Sequence, residues 1–194
     1  MKIASSIMTL ATITMLWGCG SKSTESTDTT EFADSTNEAA ADNTGSDSTS
    51  SAMEDDSEFA VEAANGGMAE VALSKIAEEK ATDPKVKEFA KQMIKDHTKA
   101  NDELKALATS KNITLPSAPN EEKQKAASDL GSKSGSDFDK AYIEVMKKDH
   151  DQTVKLFEDA QKEVKDAELK AFIDKTLPVI KAHAEHVKGL DKSK

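Results

Sequence analysis

Residues 83–107, DPKVKEFAKQMIKDHTKANDELKAL, decide the fold of this chain. Asp83 followed by Pro84 is typical of a helix start, because aspartate caps free backbone amides and proline fits the first turn. Apolar side chains then recur with the period of about 3.6 residues that an amphipathic helix requires. These are Val86, Phe89, Ala90, Met93, Ala100, Leu104 and Leu107. The stretch therefore predicts a long helix with one buried face.

Three further segments have the same period, and they predict helices over about 58–80, from about 136 and from about 166. Pro178 lies inside the last of these and is expected to kink it, because proline removes a backbone donor. The first two helices are joined around Ala81–Asp83 and the last two around Lys165–Asp166. Connections this short predict two antiparallel hairpins.

The second and third helices are separated by a long connection, residues 111–136, with a short helix expected near Glu121–Leu130. Its length permits either a crossover along the helices or a loose cap. The chain is therefore predicted to be all-α, with an up-down four-helix bundle over residues 57–194 and a long connection in its middle.

The first 18 residues have the character of a secretory signal peptide: Lys2 is followed by a short apolar stretch diluted by threonines. The stretch ends in Leu16-Trp17-Gly18-Cys19, which resembles a lipobox, although tryptophan replaces the usual small residue. That resemblance implies cleavage before Cys19 and acylation of its thiol. Several acyl chains would anchor the protein firmly, since each buried CH₂ contributes about 0.8 kcal/mol.

Residues 19–56 are predicted to be a disordered tether after the acylated cysteine. From residue 20 the segment holds ten acidic residues, one lysine and almost no large apolar side chain except Phe32. Such a composition buries too little surface to offset the entropy lost on ordering. The acidity of the chain belongs mostly to this segment, whose self-repulsion would extend it from a membrane surface.

Composition also excludes several classes of function. All 26 basic residues are lysine and the net charge is −10, which argues against a nucleic-acid-binding protein. The single cysteine rules out an intrachain disulfide. The sequence has no Cys-x-x-Cys-His motif for covalent haem, no nucleophile-elbow motif and no phosphate-binding loop.

On each of the four long predicted helices, the row of periodic apolar residues is interrupted once by a polar residue. The four interrupting residues are Glu70, His97, His150 and His183. Counted from the two hairpin turns at roughly 1.5 Å per residue, the four positions fall at similar heights. We therefore expect one carboxylate and three imidazoles to meet in a single layer. Such a layer is typical of a transition-metal site, with iron, manganese, zinc or copper as candidates.

Three neighbouring residues are further candidate ligands or partners of the rings. Asp96 and Asp149 each precede one of the layer histidines, and His186 follows His183 by nearly one turn. The alternative is a structural network, in which the histidines are neutral and hydrogen-bonded to carboxylates. The sequence leaves both interpretations open.

The sequence resembles a bacterial family of predicted outer-membrane or exported proteins of unknown function with a ferritin-like four-helix domain. The resemblance covers about residues 57–191. It rests on Gly67-Met68-Ala69-Glu70, Asp96-His97, Phe138-Asp139 with Tyr142, Asp149-His150, and Leu177-Pro178 with His183. It implies a ferritin-like fold and export. Di-iron proteins of that fold use Glu-x-x-His, whereas Ile94 and Lys147 precede His97 and His150 by three positions, so ferroxidase chemistry is not implied.

The sequence thus predicts a lipid-anchored protein of the cell envelope, on the outer membrane or on the periplasmic face of the inner membrane. Its first expected role is metal binding through the Glu/His layer. The alternative is a non-enzymatic structural or interaction module with a buried histidine–carboxylate network. An oxidoreductase on a di-metal site has the least support, so a binding or structural protein is favoured over an enzyme.

Overall fold

The computed structural model describes residues 28–42 and 47–192, and this part of the chain is all-helical. Its six helices are α1 (Thr29–Asp42), α2 (Asp47–Lys80), α3 (Pro84–Lys111), α4 (Glu121–Gly131), α5 (Gly135–Glu163) and α6 (Ala167–Lys192). The four predicted long helices correspond to α2, α3, α5 and α6, and the predicted short helix corresponds to α4. Within the described residues, no helix is both long and apolar enough to span a membrane.

Side-chain caps account for two of the helix starts that the sequence predicted, those of α3 and α6. Asp83 accepts a hydrogen bond of 2.8 Å from the Lys85 amide, and Pro84 is the first residue of α3, as expected. Asp166 caps α6 by accepting from the amides of Glu168 and Leu169. Each cap occupies amides that have no partner inside the helix, which fixes the starting residue.

The long helices are not in simple up-down order. Near the start of α2, the ring of Phe59 packs 5.1 Å from that of Phe157, near the end of α5. Further along α2, the Ser74 hydroxyl lies 2.8 Å from that of Tyr142, near the start of α5. Helix α2 is therefore antiparallel to α5 as well as to its hairpin partner α3. Since α3 and α5 run in the same direction, the long connection is a crossover rather than a loose cap.

The apolar core has two parts, with a polar layer between them. One part surrounds Phe89, Tyr142 and Met146, and the other surrounds Leu104 and Phe157. On each long helix, the residue predicted for the polar layer lies between the residues that pack in one part of the core and those that pack in the other. These layer residues are Glu70, His97, His150 and His183. The layer is therefore enclosed at both ends by packed apolar side chains, which exclude water from it.

The prediction that residues 19–56 form a disordered tether was wrong for residues 29–42, which form α1, and for residues 47–56, which belong to α2. Asn37 of α1 binds both backbone groups of Thr114 in the crossover: its amide nitrogen donates to the carbonyl at 3.0 Å, and its oxygen accepts from the amide at 2.8 Å. Ala33 and Ala41 are buried, whereas Phe32 is 60% exposed. Small and polar side chains attach α1, so its composition gave no sign of packing.

Candidate metal centre

The four residues predicted to interrupt the core lie together in the polar layer and are almost fully buried. Exposed fractions are 1% for Glu70, 5% for His97, 0% for His150 and 1% for His183. Helices α2, α3, α5 and α6 each contribute one of them. Burial of four ionisable groups is costly unless each has a partner, so the contacts within the layer decide its chemistry.

Glu70 faces two of the three histidines. Its Oε2 lies 2.9 Å from His97 Nδ1, and its Oε1 lies 3.4 Å from His150 Nδ1. Neither approach has the N–H direction of a good hydrogen bond, and both carboxylate oxygens are without one among the described residues. We therefore treat the contact with His97 as a close charge interaction, which is less demanding of direction than a hydrogen bond.

His183 links His97 to a carboxylate at the edge of the layer. Its Nδ1 lies 3.3 Å from His97 Nε2, and its Nε2 lies 3.0 Å from Asp96 Oδ2. A carboxylate only accepts, so Nε2 of His183 carries a hydrogen and Nδ1 presents a lone pair when the ring is neutral. Asp96 thereby fixes the tautomer and the orientation of this ring.

His150 is oriented by the backbone of its own helix. Its Nδ1 donates to the Met146 carbonyl oxygen at 2.9 Å, because a carbonyl can only accept. In the neutral ring this leaves Nε2 with a lone pair, and that atom is buried with no hydrogen-bond partner among the described residues. An unpaired buried nitrogen costs about 1–3 kcal/mol and calls for an explanation.

One ring nitrogen from each of His97, His150 and His183 lies within 4.8 Å of the other two. Each ring has its other nitrogen against an acceptor on the outside of the cluster. Two nitrogens bound to one tetrahedral ion at about 2.0–2.1 Å would be about 3.4 Å apart. The 3.3 Å between His97 Nε2 and His183 Nδ1 is close to that spacing. The three rings therefore have the composition of a three-histidine metal site, and one pair of their nitrogens has its spacing.

Charges in the layer set the protonation of Glu70 and His97. Burial by itself raises the pKa of the Glu70 carboxyl, but the facing His97, assisted by His150 and Lys123, outweighs burial and lowers this pKa to about 2. Burial lowers the pKa of His97, and the Glu70 carboxylate more than compensates, so the net shift is upward. In the metal-free protein each side chain therefore favours the charged form of the other.

The other two imidazoles are kept neutral. Burial is the largest influence on His150 and lowers its pKa despite the attraction of Glu70. Burial and repulsion from His97 lower the pKa of His183 to about 4, despite its hydrogen bond to Asp96. Neutral imidazole is the form that binds metal ions, so two of the three candidate ligands are ready at neutral pH.

A small cavity of about 30 Å³ adjoins the layer. His97, His183, Glu70 and Asp96 line one side of it. The other walls are mostly apolar and include Leu104, Phe157, Phe172 and Ile180. The cavity therefore connects the histidine cluster with a space large enough for a very small molecule.

The further candidates have different positions. Asp149 is buried but binds Lys123 of α4, with 2.9 Å between Oδ1 and Nζ, so its carboxylate is engaged away from the rings. His186 is exposed, and its ring packs 5.1 Å from that of Phe89 outside the cluster. The predicted lipidation site, Cys19, lies outside the described residues.

Two contributors to the layer did not emerge from the sequence. The Met146 carbonyl is a backbone group and leaves no signal in side-chain patterns. Lys123 acts on Glu70 from α4, 53 positions along the chain, so only the fold could bring it near. Asp139, one of the residues that carry the family resemblance, has a structural role. It caps the α2–α3 connection by accepting from the Thr82 amide and hydroxyl and from the Asp83 amide.

Comparison with known proteins gives a family and a fold. Residues 39–190 match the family described as "Domain of unknown function (DUF4142)". No curated protein matches the chain at a significant level. The chain is similar to the structure described as "Crystal structure of DUF305 fragment from Deinococcus radiodurans", with a TM-score of 0.64 and 9% identity, over 72% of this chain and 97% of that chain. At this identity the likeness concerns the fold alone.

Proposed function

The chain belongs to the DUF4142 family, whose function is unknown, and we propose that this member binds a transition-metal ion through His97, His150 and His183. Two observations carry the proposal: three buried rings each bring one nitrogen within 4.8 Å of the other two, and Nε2 of His150 is buried with no hydrogen-bond partner among the described residues. A bound ion would give Nε2 of His150 a partner and remove the cost of leaving that nitrogen unpaired, and His97 would release a ring proton when it binds the ion.

Three imidazole nitrogens favour some metals over others. Imidazole suits zinc, copper, iron and nickel, whereas manganese prefers carboxylate and water oxygens. Zinc accepts a tetrahedral site with three protein ligands, and copper binds nitrogen ligands more tightly than the other divalent ions of its row. Among iron, manganese, zinc and copper, we propose zinc or copper as the ion.

Glu70 has a different role in this proposal from the one expected from the sequence. Its carboxylate lies against the outer nitrogens of His97 and His150, and Asp96 lies against the outer nitrogen of His183. Carboxylates in these positions orient the rings and raise the basicity of the ligating nitrogens. We therefore assign Glu70 and Asp96 to positioning the ligands, with the three histidines as the ligands themselves.

A second function, a structural network without metal, is favoured by the contacts between charged groups. If His97 carries both ring hydrogens, a chain of contacts runs from Glu70 through His97 and His183 to Asp96, with a partner at every step. In that case the layer would only specify the packing of the helices, and the domain would act through a partner. The unpartnered nitrogen of His150 is the atom that this alternative does not explain.

Metal analysis of the full chain, purified without a His tag or chelator, tests the two alternatives. We expect about one equivalent of zinc or copper, lost in a His97→Ala/His150→Ala variant and retained in His186→Ala, which removes an exposed histidine outside the cluster. Circular dichroism would show whether the double variant is folded, and His150→Gln is a milder second variant. Absence of metal after reconstitution with iron, manganese, zinc and copper would favour the structural network.

We further propose that four of the helices form a ferritin-like bundle carried on a cell-envelope lipoprotein. The parallel α3 and α5 with one crossover agree with ferritin-like connectivity. Acylation of Cys19 would hold the domain at the outer membrane or at the periplasmic face of the inner membrane. Incorporation of labelled palmitate into the wild-type chain, absent from a Cys19→Ala variant, tests the anchor. Separation of the two membranes then tests the location.

A further inference from the structure

We propose that the cavity beside His97 and His183 binds a ligand of two or three heavy atoms, uncharged or singly negative, which completes the coordination of the metal. The inference rests on the metal site proposed above and extends it to the ion's exogenous ligand. Three histidine ligands leave a tetrahedral ion with one open position, as in zinc enzymes.

The position of the cavity indicates where that opening lies. Its lining includes His97 and His183, the pair whose facing nitrogens are 3.3 Å apart, but it does not include His150. An ion held by all three rings would therefore present its remaining position on the side away from His150, toward the cavity.

The size and walls of the cavity limit the ligand. A water needs roughly 10–15 Å³ of such space, so the enclosed part, about 30 Å³, admits a ligand of two or three atoms beside the rings. Most walls are apolar, which disfavours highly charged or strongly hydrated anions. Asn101, Thr153 and Thr176 supply the few uncharged polar groups in the lining.

Asn101 reaches this lining because α2 has a glycine opposite it. A Cβ atom on Gly67 would lie 2.1 Å from Asn101 Oδ1, closer than any real contact. A side chain at position 67 would therefore displace the Asn101 amide from its place in the lining. That amide can donate a hydrogen bond to a bound small ligand or accept one from it.

Azide binding to the copper-loaded full chain tests the proposal, with azide as the three-atom probe. We expect azide to produce a ligand-to-copper absorption band that saturates. Ala100→Leu should fill the cavity and weaken azide binding at least tenfold without changing copper stoichiometry. Val179→Phe, which adds bulk at a 41% exposed position of the lining, should act in the same direction and is less disturbing to folding. Ala141→Leu is the matched control, a partly buried alanine packed against the other part of the core.

The outcomes separate the two proposals. The cavity proposal is supported if every variant takes up copper and only Ala100→Leu and Val179→Phe bind azide more weakly. Copper uptake with no azide band in wild type, or with equal azide affinity in every variant, overturns the cavity and leaves the metal site standing. Failure of the wild-type chain to bind copper, zinc or any of the other metals overturns both.

Discussion

Replacing His97 by leucine leaves the Glu70 carboxylate, 1% exposed, without the ring nitrogen that lies 2.9 Å away. At pH 7 such a carboxylate can escape its unpaired charge by taking up a proton. For a carboxyl with the ordinary pKa of 4.5, this costs about 1.36 kcal/mol for each of roughly 2.5 pH units, or about 3.4 kcal/mol. Loss of one partner of a buried pair typically costs a similar amount, about 3–5 kcal/mol.

We predict different free energies of unfolding for His97→Leu and His97→Leu/Glu70→Leu. The double variant should be the more stable of the two by about 3 kcal/mol at pH 7, because it no longer buries the carboxylate. Between pH 7 and pH 5 the difference should shrink by up to about 2.7 kcal/mol, since protonation of Glu70 becomes cheaper by about 1.4 kcal/mol per pH unit.

Urea unfolding followed by circular dichroism, with a chelator present, measures both quantities. Glu78→Leu in the His97→Leu background is the matched control, because Glu78 is an exposed glutamate of the same helix. It should restore little stability. Equal stability of the single and double variants at pH 7, or a difference that does not change with pH, would refute the idea that Glu70 is a buried charge dependent on His97.

Other contacts of the layer and of the connections around it have measurable consequences. Because the pKa of His183 is lowered to about 4, the folded, metal-free protein should be fully stable above pH 6.5 and should lose up to about 3 kcal/mol as the pH falls from 6.5 to 4. A His183→Leu variant should lack this part of the acid sensitivity. An unfolding midpoint of the wild type that is equal at pH 7.5 and 5 would contradict the prediction. Asp96→Asn should weaken metal binding about 10–100-fold in a chelator competition assay, whereas Asp102→Asn, an exposed aspartate of the same helix, should leave it unchanged. Asp139→Ala should lower the free energy of unfolding by about 1–3 kcal/mol, because it removes the buried carboxylate that holds the amides of Thr82 and Asp83, and a loss under 1 kcal/mol would show that water replaces the cap at these more exposed donors. Asn37→Ala should speed hydrogen exchange in α1 without changing exchange at the layer, and unchanged protection of α1 would mean that apolar packing rather than the bonds to Thr114 attaches it.

The sequence determined the long helices and the height of the polar layer by itself. Helix periodicity reports which face is buried, and capping residues such as Asp83 act on amides within a few positions of themselves. The short turn of each hairpin then fixes which residues of its two helices lie at the same height, because the rise per residue of a helix is constant. For that reason the sequence alone predicts that Glu70, His97, His150 and His183 lie together.

Only the tertiary structure decided the features that depend on groups distant in sequence or on atoms within a side chain. Helix α1 is ordered through bonds between Asn37 and Thr114, 77 positions apart, and local composition carries no record of such a contact. The direction of α5 relative to α3 depends on the path of the crossover, which its length alone left open. The use of each imidazole nitrogen depends on which acceptor its ring meets: the Met146 carbonyl, Asp96 or Glu70. A periodic pattern specifies which side chains face inward, but the orientation of a ring comes from the acceptors packed around it.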